Sequence, residues 1–140
     1  MKIEQWDGGR FGGAKAAFIH EDRLVVLRRD NLEGLMWSGM IDLPGGGREA
    51  EEGPIETLLR ETREEVGLIL SPDCLVYGRA RQNKWGKTVW FYIGHITKAE
   101  SQSLQLGDEG QACWMMPIAD FILAKDAIPP LQESLREAGY

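Results

Sequence analysis

A glycine-rich turn followed by an amphipathic helix is the feature that most constrains this chain. The segment Pro44-Gly45-Gly46-Gly47 is a strong turn signal, because glycine adopts backbone conformations closed to other residues. A helix is expected from Pro54 to Val66, since proline is tolerated at the first helical position, and Gly67 supplies the stop. One side of this helix is largely apolar, so we expect it to pack on a core through Ile55, Leu58, Leu59, Thr62 and Val66.

Another side of the predicted helix carries three carboxylates. Glu61, Glu64 and Glu65 stand at positions i, i+3 and i+4 and therefore share one face. Their crowding is unfavourable when all are ionised and nothing neutralises them. One interpretation is a solvated face with ion pairs to Arg60 and Arg63. The other is a site for a hard cation such as Mg²⁺, which prefers carboxylates combined with the backbone carbonyls that a glycine turn exposes.

The same segment resembles the Nudix signature, G-x5-E-x7-R-E-U-x-E-E-x-G-U, in which U is a bulky apolar residue. Gly46 is followed after five residues by Glu52, and after seven more by the run Arg60-Glu-Thr-Arg-Glu-Glu-Val-Gly-Leu68. Every fixed letter of the signature matches in register. The one departure is Thr62, which stands where the signature has an apolar residue but keeps a methyl group for packing.

The resemblance implies a Mg²⁺ site, with Mn²⁺ able to substitute. We call residues Gly46–Leu68, which match the signature, the box. In similar family members the box glutamates hold the metal, so Glu61 and Glu65 are the expected ligands. Glu64 is expected to be a ligand or a water-orienting group, and the Gly45 carbonyl to complete the metal shell. We therefore count Glu61 and Glu64 among the catalytic residues as well as the metal ligands.

Other box residues are expected to support this site. By the same resemblance, Arg60 orients a glutamate through a charge-assisted hydrogen bond and belongs with the catalytic residues. Glu52 is expected to support the junction between loop and helix, since a carboxylate near a helix N-terminus is favourable. Gly46 and Gly67 open and close the box and complete its structural support.

Three charged residues outside the box each allow two interpretations. Glu109, in a later loop, matches a glutamate that in similar proteins joins the metal cluster or serves as general base; otherwise it is a surface acid. Arg28 and Arg29 end a predicted strand, where they either bind a substrate phosphate or base or form a solvated strand end.

Three tryptophans are candidates for stacking on a nucleobase. Aromatic rings bind bases in this way readily, but large aromatic side chains also serve as packing residues. Sequence alone does not choose between these roles for Trp37, Trp85 and Trp90.

The rest of the chain predicts a mixed α/β fold. Apolar runs predict strands at 14–20 and 23–28, joined as a hairpin, a short apolar segment at 40–43, and strands at 75–81, 87–97 and 111–116. Helical segments are expected at 118–125 and 131–138. The resemblance implies a Nudix-type α/β/α sandwich with a central mixed sheet, formed by a single domain over residues 1–140.

The net charge and the hydropathy pattern limit the classes of binding partner that we expect. The net charge of −6 argues against a nucleic acid duplex, which needs a basic surface, but does not exclude a small nucleotide. No apolar run approaches the ~20 residues that span a bilayer, and the start lacks a secretory signal, so we expect a cytoplasmic protein without membrane contact. The resemblance leaves room for a homodimer, since dimers are common in the family.

The resemblance implies hydrolysis of a nucleoside diphosphate linked to another group. The approach Leu43-Pro44-Gly45 and the chain length look like MutT-type enzymes, which convert a nucleoside triphosphate, sometimes oxidised, into monophosphate and pyrophosphate. Hydrolysis of ADP-ribose, a nucleotide sugar or a dinucleoside polyphosphate is the alternative. A non-catalytic nucleotide-binding regulatory module is an alternative of another class, although the box glutamates are complete here.

Overall fold

The structure, a computed structural model, describes residues 2–140, which contain seven strands and four α-helices. A 3-10 turn at Pro72–Cys74 is the one short element outside the strands and α-helices of these residues. The elements follow in the order β1 (Gly13–His20), β2 (Arg23–Arg28), β3 (Ile41–Asp42), β4 (Gly45–Gly47), α1 (Pro54–Val66), β5 (Leu75–Gln82), β6 (Thr88–His95), α2 (Lys98–Ser101), β7 (Ala112–Pro117), α3 (Ile118–Leu123) and α4 (Pro129–Glu137).

Across residues 2–140 the strands form a seven-stranded mixed sheet. Its main path has the order β3-β2-β1-β6-β5, with β1 and β6 parallel and the other pairs antiparallel. Strand β4 also pairs with β1, and β7 pairs with β2. Because β3 pairs with β2 and β4 with β1, residues 41–47 cross from one strand to the next. This crossing brings the glycine segment to the middle of the sheet.

Apolar residues cover both faces of the sheet. On one face Leu58 and Val66 of α1 join a core that includes Phe18 and Tyr92. On the other face α3 and α4 pack through Phe121, Leu131 and Leu135 against Leu24 and Phe91. Each large apolar side chain buried in this way contributes about 1.5–3 kcal/mol. The expected α/β/α sandwich is therefore confirmed.

Helix α1 begins and ends at the predicted residues. Pro54 is its first residue, and the Glu56 carboxylate accepts from the Gly53 N–H at 3.1 Å. Gly67 ends the helix in the left-handed region at φ 76°. Thr62 is fully buried, and its hydroxyl donates to the Leu58 carbonyl at 2.7 Å. Threonine thus fills the apolar position of the box because the helix backbone satisfies its one polar group.

The structure differs from the sequence predictions at several boundaries. The glycine segment, predicted as a turn, contains strand β4, and the four-residue α2 was not predicted. Helix α3 ends at Leu123, earlier than predicted, while α4 begins at Pro129 because proline fits the first helical turn. The strands agree with the predicted ranges to within two residues at each end. In residues 2–140 no helix has the length and apolar character needed to cross a membrane.

Glycine is required in β4 by the close approach of β1. A Cβ on Gly45 would lie 2.0 Å from the Ala14 carbonyl oxygen, and its φ of 131° is disfavoured for other residues. We expect Gly45→Ala to reduce the free energy of unfolding by more than about 2 kcal/mol. Urea unfolding followed by circular dichroism measures this change.

Gly47→Ala is the matched control for this prediction. Its Cβ would meet nothing closer than the Gly12 carbonyl at 3.8 Å, so its effect should be small. Equal stability of the two variants would contradict the close-packing explanation.

Candidate functional site

Strand β4 contacts the acidic face of α1. The Gly45 N–H donates to Glu65 Oε1 at 2.8 Å. A Cβ at Gly46 would lie 2.5 Å from Glu61 Cδ, so the absence of a side chain leaves room for that carboxylate. The structure thus brings the turn glycines and two of the predicted metal ligands together.

Arg60 connects the remaining residues of the box. Its Nε and Nη2 donate to the two carboxylate oxygens of Glu52 at 2.7 and 3.0 Å. Its Nη1 donates to Glu61 at 2.9 Å and lies 3.3 Å from Glu64 Oε2. Nη2 also donates to the Gly47 carbonyl at 2.9 Å. One planar guanidinium therefore holds two predicted catalytic carboxylates, the loop before α1 and the glycine strand.

Glu52 lies at the junction between the loop and α1. Besides Arg60, its carboxylate accepts from the Thr57 hydroxyl at 3.1 Å and the Glu49 N–H at 2.9 Å. Hydrogen bonding from Arg60 is the main cause that lowers the pKa of Glu52 to about 2, against an opposing effect of burial. Contact with Glu52 raises the pKa of Arg60 above its ordinary value. Both groups therefore stay charged at neutral pH.

Glu65 lies in a different electrostatic environment. Burial raises the pKa of its carboxyl to about 7, because removal from water disfavours the charged form. The Lys15 ammonium and the Gly45 N–H lower this pKa, while Asp42 and Glu61 add to the rise. A partly desolvated carboxylate with acidic neighbours is stabilised by a cation placed nearby.

The donor set of this site fits a hard cation. The predicted ligands are the carboxylates of Glu61, Glu64 and Glu65 and the carbonyl of Gly45, and all four are oxygen donors of the kind that Mg²⁺ prefers. Within residues 2–140, no three His, Cys, Asp or Glu side chains converge at metal-ligand spacing. The guanidinium and amide donors described above hold the glutamates instead, and Lys15 Nζ donates to the Gly45 carbonyl at 2.9 Å. That carbonyl has two lone pairs, so it can accept from Lys15 and bind a cation as well.

We call Glu61, Glu64 and Glu65 the acidic cluster. A buried carboxylate with two cationic partners lies beside it. Asp42 is 1% exposed, and its Oδ2 accepts from Lys15 Nζ at 3.0 Å and Arg29 Nη1 at 3.1 Å. Lys15 also donates to the Leu43 carbonyl at 3.2 Å. The side chains of Lys15 and Arg29 are each 26% exposed, so both reach solvent. We refer to Lys15, Asp42 and Arg29 as the charge triad.

The charge triad lines a cleft of about 810 Å³, a volume that suits a nucleotide-sized ligand. The cleft also includes Gly46 and Gly47 of β4 and runs past Leu131 and Ser134 of α4. It therefore extends from the glycine strand, against which the acidic cluster packs, to the turn between β5 and β6.

All three candidate tryptophans line this cleft, in different ways. Trp85 is 58% exposed at the turn between β5 and β6, with Lys84 Nζ 4.7 Å from its ring. Trp37 is half-buried in the loop before β3, in the left-handed region at φ 56°. Trp90 is buried and stacks on Tyr92, with 5.9 Å between the ring centroids. Trp85 and Trp37 are thus the more accessible of the three.

The two predicted substrate-binding arginines have different surroundings. Arg29 lines the cleft, and its Nε donates to the Met36 carbonyl at 3.0 Å. Arg28 lies outside the cleft lining, where it donates to Asp126 at 3.2 Å and to the Gly39 carbonyl at 2.9 Å. These contacts indicate a structural role for Arg28, which holds the loop before β3 through the Gly39 carbonyl.

Glu109 is exposed on a loop that packs against the end of α1. The Gly107 N–H donates to the Glu65 carbonyl at 3.0 Å, and a Cβ on Gly107 would lie 2.0 Å from the Glu64 carbonyl. On the other side of Glu109, the Gly110 N–H donates to Asp30 at 3.1 Å. The loop is therefore anchored on both sides of Glu109, near the backbone of two box glutamates.

Sequence reasoning missed Lys15 and Asp42. Each is a single charge within an apolar segment, 14–20 or 40–43, and charged residues are rarely buried unless they are paired. That pattern was the available signal. Their pairing depends on the crossing of residues 41–47 between β2 and β1, which no local pattern reveals.

Comparison with known proteins agrees with this fold. The NUDIX domain model matches residues 11–138. A MutT NUDIX hydrolase from Burkholderia pseudomallei has a TM-score of 0.67 at 21% identity, with 89% of this chain and 94% of that chain covered. A C. elegans Ap4A hydrolase in a binary complex has a TM-score of 0.69 at 18% identity, with 91% and 99% covered. The NUDIX domain of Shewanella oneidensis NrtR, complexed with ADP ribose, has a TM-score of 0.67 at 19% identity, with 93% and 88% covered.

The family match extends over most of the chain, and the glycine strand, Arg60 and the box glutamates fall within it. The chain therefore belongs to the Nudix family, a class of hydrolases that act on phosphoanhydride bonds.

The ion pair between Glu52 and Arg60 predicts a specific pH dependence of stability. The pKa of Glu52 is about 2 in the folded state and 4.5 as its ordinary value. Its contribution is therefore present above pH 4.5 and is lost as the pH falls toward 2. We expect Glu52→Gln to be less stable than wild type at neutral pH, with a difference that shrinks below pH 4.5. Urea unfolding across this range measures the difference.

Glu49→Gln is the control for this experiment, because Glu49 is 69% exposed and lies 3.6 Å from Arg60. It should change stability little at any pH. A constant difference between Glu52→Gln and wild type at every pH would contradict the assigned ion pair.

Proposed function

We propose that this chain hydrolyses a phosphoanhydride bond of a nucleoside diphosphate derivative in the presence of Mg²⁺. The preferred substrate is a nucleoside triphosphate, ordinary or oxidised, which yields the monophosphate and pyrophosphate. The observation that supports this best is the position of β4, which contacts the acidic cluster through Gly45 and lines a nucleotide-sized cleft through Gly46 and Gly47.

The metal ligands that we propose are Glu61, Glu64, Glu65 and the Gly45 carbonyl. A Mg²⁺ ion held by these residues, or Mn²⁺ in its place, would neutralise phosphate charge and so favour attack of water on phosphorus. The residues themselves position the reacting groups. Arg60 fixes the carboxylates of Glu61 and Glu64, and the Gly45 N–H fixes that of Glu65.

We assign activation of the attacking water to the most accessible acids near the site, Glu64 and Glu109. Glu64 is 52% exposed, so its carboxylate can meet water while Arg60 restricts its orientation. In this proposal Glu64 accepts a hydrogen bond from the attacking water, and Glu109 is a second candidate for the proton acceptor.

The cleft supplies the contacts that we assign to the nucleoside. Trp85 and Trp37 offer accessible aromatic faces, which stack on any base. Such stacking suits a nucleoside better than a simple polyphosphate. It is equally suited to ADP-ribose, nucleotide sugars and dinucleoside polyphosphates, so the leaving group has to be determined by experiment.

The test is a panel of nucleotides incubated with the protein in Mg²⁺ or in EDTA, with products separated by ion exchange. The panel holds canonical and oxidised nucleoside triphosphates, ADP-ribose, nucleotide sugars and dinucleoside polyphosphates. Mg²⁺-dependent release of monophosphate and pyrophosphate from a triphosphate supports the proposal. Cleavage of another class alone replaces the substrate and keeps the site. Binding of a nucleotide without any turnover would favour a regulatory module instead.

Single substitutions in the acidic cluster should separate catalysis from folding. We expect Glu64→Gln and Glu65→Gln to reduce kcat by about 100-fold or more, because each removes a charge from the proposed metal site. Steady-state kinetics at saturating Mg²⁺ measures kcat, and circular dichroism confirms folding. Glu51→Gln, in the exposed loop before α1, is the control and should keep wild-type kcat. Near-normal kcat in both cluster variants would contradict the site.

Glu109 is tested by comparison with its neighbour. If Glu109 accepts the proton or joins the metal ligands, Glu109→Gln should lower kcat by at least about tenfold. Asp108→Asn alters the adjacent exposed acid of the same loop and should have little effect. Equal kcat values in the two variants would show that Glu109 has no role in catalysis.

Mg²⁺ should also stabilise the folded protein. The unfolded chain cannot gather the carboxylates, so binding to the folded state increases the free energy of unfolding by RT ln(1 + [Mg²⁺]/Kd), about 2.7 kcal/mol at 100 times Kd, and Tm rises as a result. Differential scanning fluorimetry with MgCl₂ titration measures the shift. The shift should be much smaller in Glu65→Gln, and an equal shift in that variant would place the metal elsewhere.

A further inference from the structure

The segment that precedes β1 is attached to the edge of the sheet. We call residues 2–12 the strap. The Glu4 N–H donates to the Gly78 carbonyl at 2.9 Å, and the Gly78 N–H donates to the Lys2 carbonyl at 3.1 Å. The Glu4 carboxylate also accepts from the Ala80 N–H at 3.0 Å. Because Gly78 and Ala80 belong to β5, the strap is fixed along the side of β5 that faces away from β6.

The other end of the strap contacts the loop before α1 through two aromatic rings. Trp6 and Phe11 pack edge to face, with 5.7 Å between their ring centroids. Cζ of Arg48 lies 5.4 Å from the ring centroid of Trp6 and 4.7 Å from that of Phe11, and cations are attracted to aromatic faces. Trp6 also lies against Gly53, where a Cβ would be 3.1 Å from its ring. We call Trp6, Phe11 and Arg48 the clamp.

The clamp is connected to the acidic cluster through Glu52. Nε of Arg48 donates to the Glu52 carbonyl at 2.8 Å, and the Arg48 N–H donates to the Gly12 carbonyl at 3.0 Å. The Glu52 carboxylate accepts from Arg60 at 2.7 Å, and Arg60 donates to Glu61 at 2.9 Å. Direct contacts therefore run from the strap to a proposed metal ligand.

The aromatic rings hold Arg48 in a different way from Arg60. Arg60 pairs with several carboxylates, whereas within residues 2–140 no carboxylate forms a salt bridge with Arg48. Its guanidinium is fixed by the hydrogen bond from Nε and by the two rings. An arginine can be held in this way because its planar guanidinium stacks on aromatic faces.

We propose that Arg48 is a positioning residue for the metal site, and that the rings of Trp6 and Phe11 increase metal affinity by immobilising it. Ligands that are held in place before binding lose less freedom when the metal binds, so the affinity is higher. This inference rests on the metal site of the proposed function. It makes that site depend on the strap, which lies outside the box.

The test measures binding of Mn²⁺ alone to the metal-free protein, without nucleotide. The electron paramagnetic resonance signal of free Mn²⁺ gives Kd without any need for turnover. We expect Trp6→Leu and Arg48→Met to raise Kd by about 3- to 10-fold. Residues that contact metal ligands typically change the affinity by about 10- to 100-fold, and the clamp acts from further away. Arg48→Met keeps a long side chain between the rings, so it tests the inference even if Trp6→Leu fails to fold.

Two further variants separate positioning from general stability. Trp6→Phe keeps an aromatic face for Arg48 and should leave Kd within about twofold of wild type. Arg28→Met is the matched control, because Cζ of Arg28 also lies over a ring, 5.8 Å from the centroid of Trp114, and Nη1 donates to the Gly39 carbonyl at 2.9 Å. These contacts lie outside the box, so this variant should lose stability and keep Kd within about twofold.

Hydrogen–deuterium exchange measures the effect on the loop before α1 directly. The N–H groups of Glu49, Glu52 and Gly53 all form hydrogen bonds within residues 49–56. In Trp6→Leu we expect these amides to exchange about tenfold faster, while the amides of α4 keep their wild-type rates. Faster exchange throughout the protein would indicate a general loss of stability instead and would contradict local positioning.

The outcomes separate this inference from the proposed function. A Kd that rises in Trp6→Leu and Arg48→Met, and holds in Trp6→Phe and Arg28→Met, supports the positioning role. If wild type binds Mn²⁺ and Kd is unchanged in Trp6→Leu and Arg48→Met, the inference is overturned and the proposed metal site stands, even where the loop amides exchange faster. An equal rise of Kd in Arg28→Met also overturns it. A wild-type protein that binds no Mn²⁺ overturns the proposed metal site, and the positioning role with it.

Discussion

The contacts of the Arg60 guanidinium are the interaction on which the site depends. Like charges on one helix face destabilise it unless a cation neutralises them. Arg60 supplies that cation from the same helix, and its planar fork reaches Glu52, Glu61 and Glu64 together. A lysine could supply the charge but not several directed donors in one plane. The spacing of these residues therefore suits the shape of one side chain.

The second constraint is the close contact between β4 and its neighbours. Gly45 lies against the backbone of β1, and Gly46 lies against Glu61. A side chain at Gly45 would separate β4 from β1, and one at Gly46 would separate β4 from α1. With these two close contacts in place, β4 contacts the acidic cluster through Gly45 and lines the cleft through Gly46 and Gly47. The predicted metal ligands and the cleft are thus connected by a few backbone atoms.

The sequence predicted those features that depend on local pattern and failed on those that depend on strand pairing. Helix α1 was predicted close to its observed ends, because Pro54 and Gly67 limit it and its apolar spacing is regular. Strand β4 was missed, since glycine has low strand propensity and only its pairing with β1 makes it a strand. Lys15 and Asp42 were missed for the same reason, because the sheet brings them together. The roles of the site residues in catalysis remain predictions.

In the proposed site, the directed donors of Arg60, and not only its charge, hold the carboxylates of Glu61 and Glu64 in place. The most direct measurement is kcat of Arg60→Lys at saturating Mg²⁺, on a nucleotide that the wild-type protein hydrolyses. We expect kcat to fall by about 100-fold in a folded protein, because lysine keeps the positive charge and loses the several donors of the guanidinium. A folded Arg60→Lys variant with wild-type kcat would contradict it.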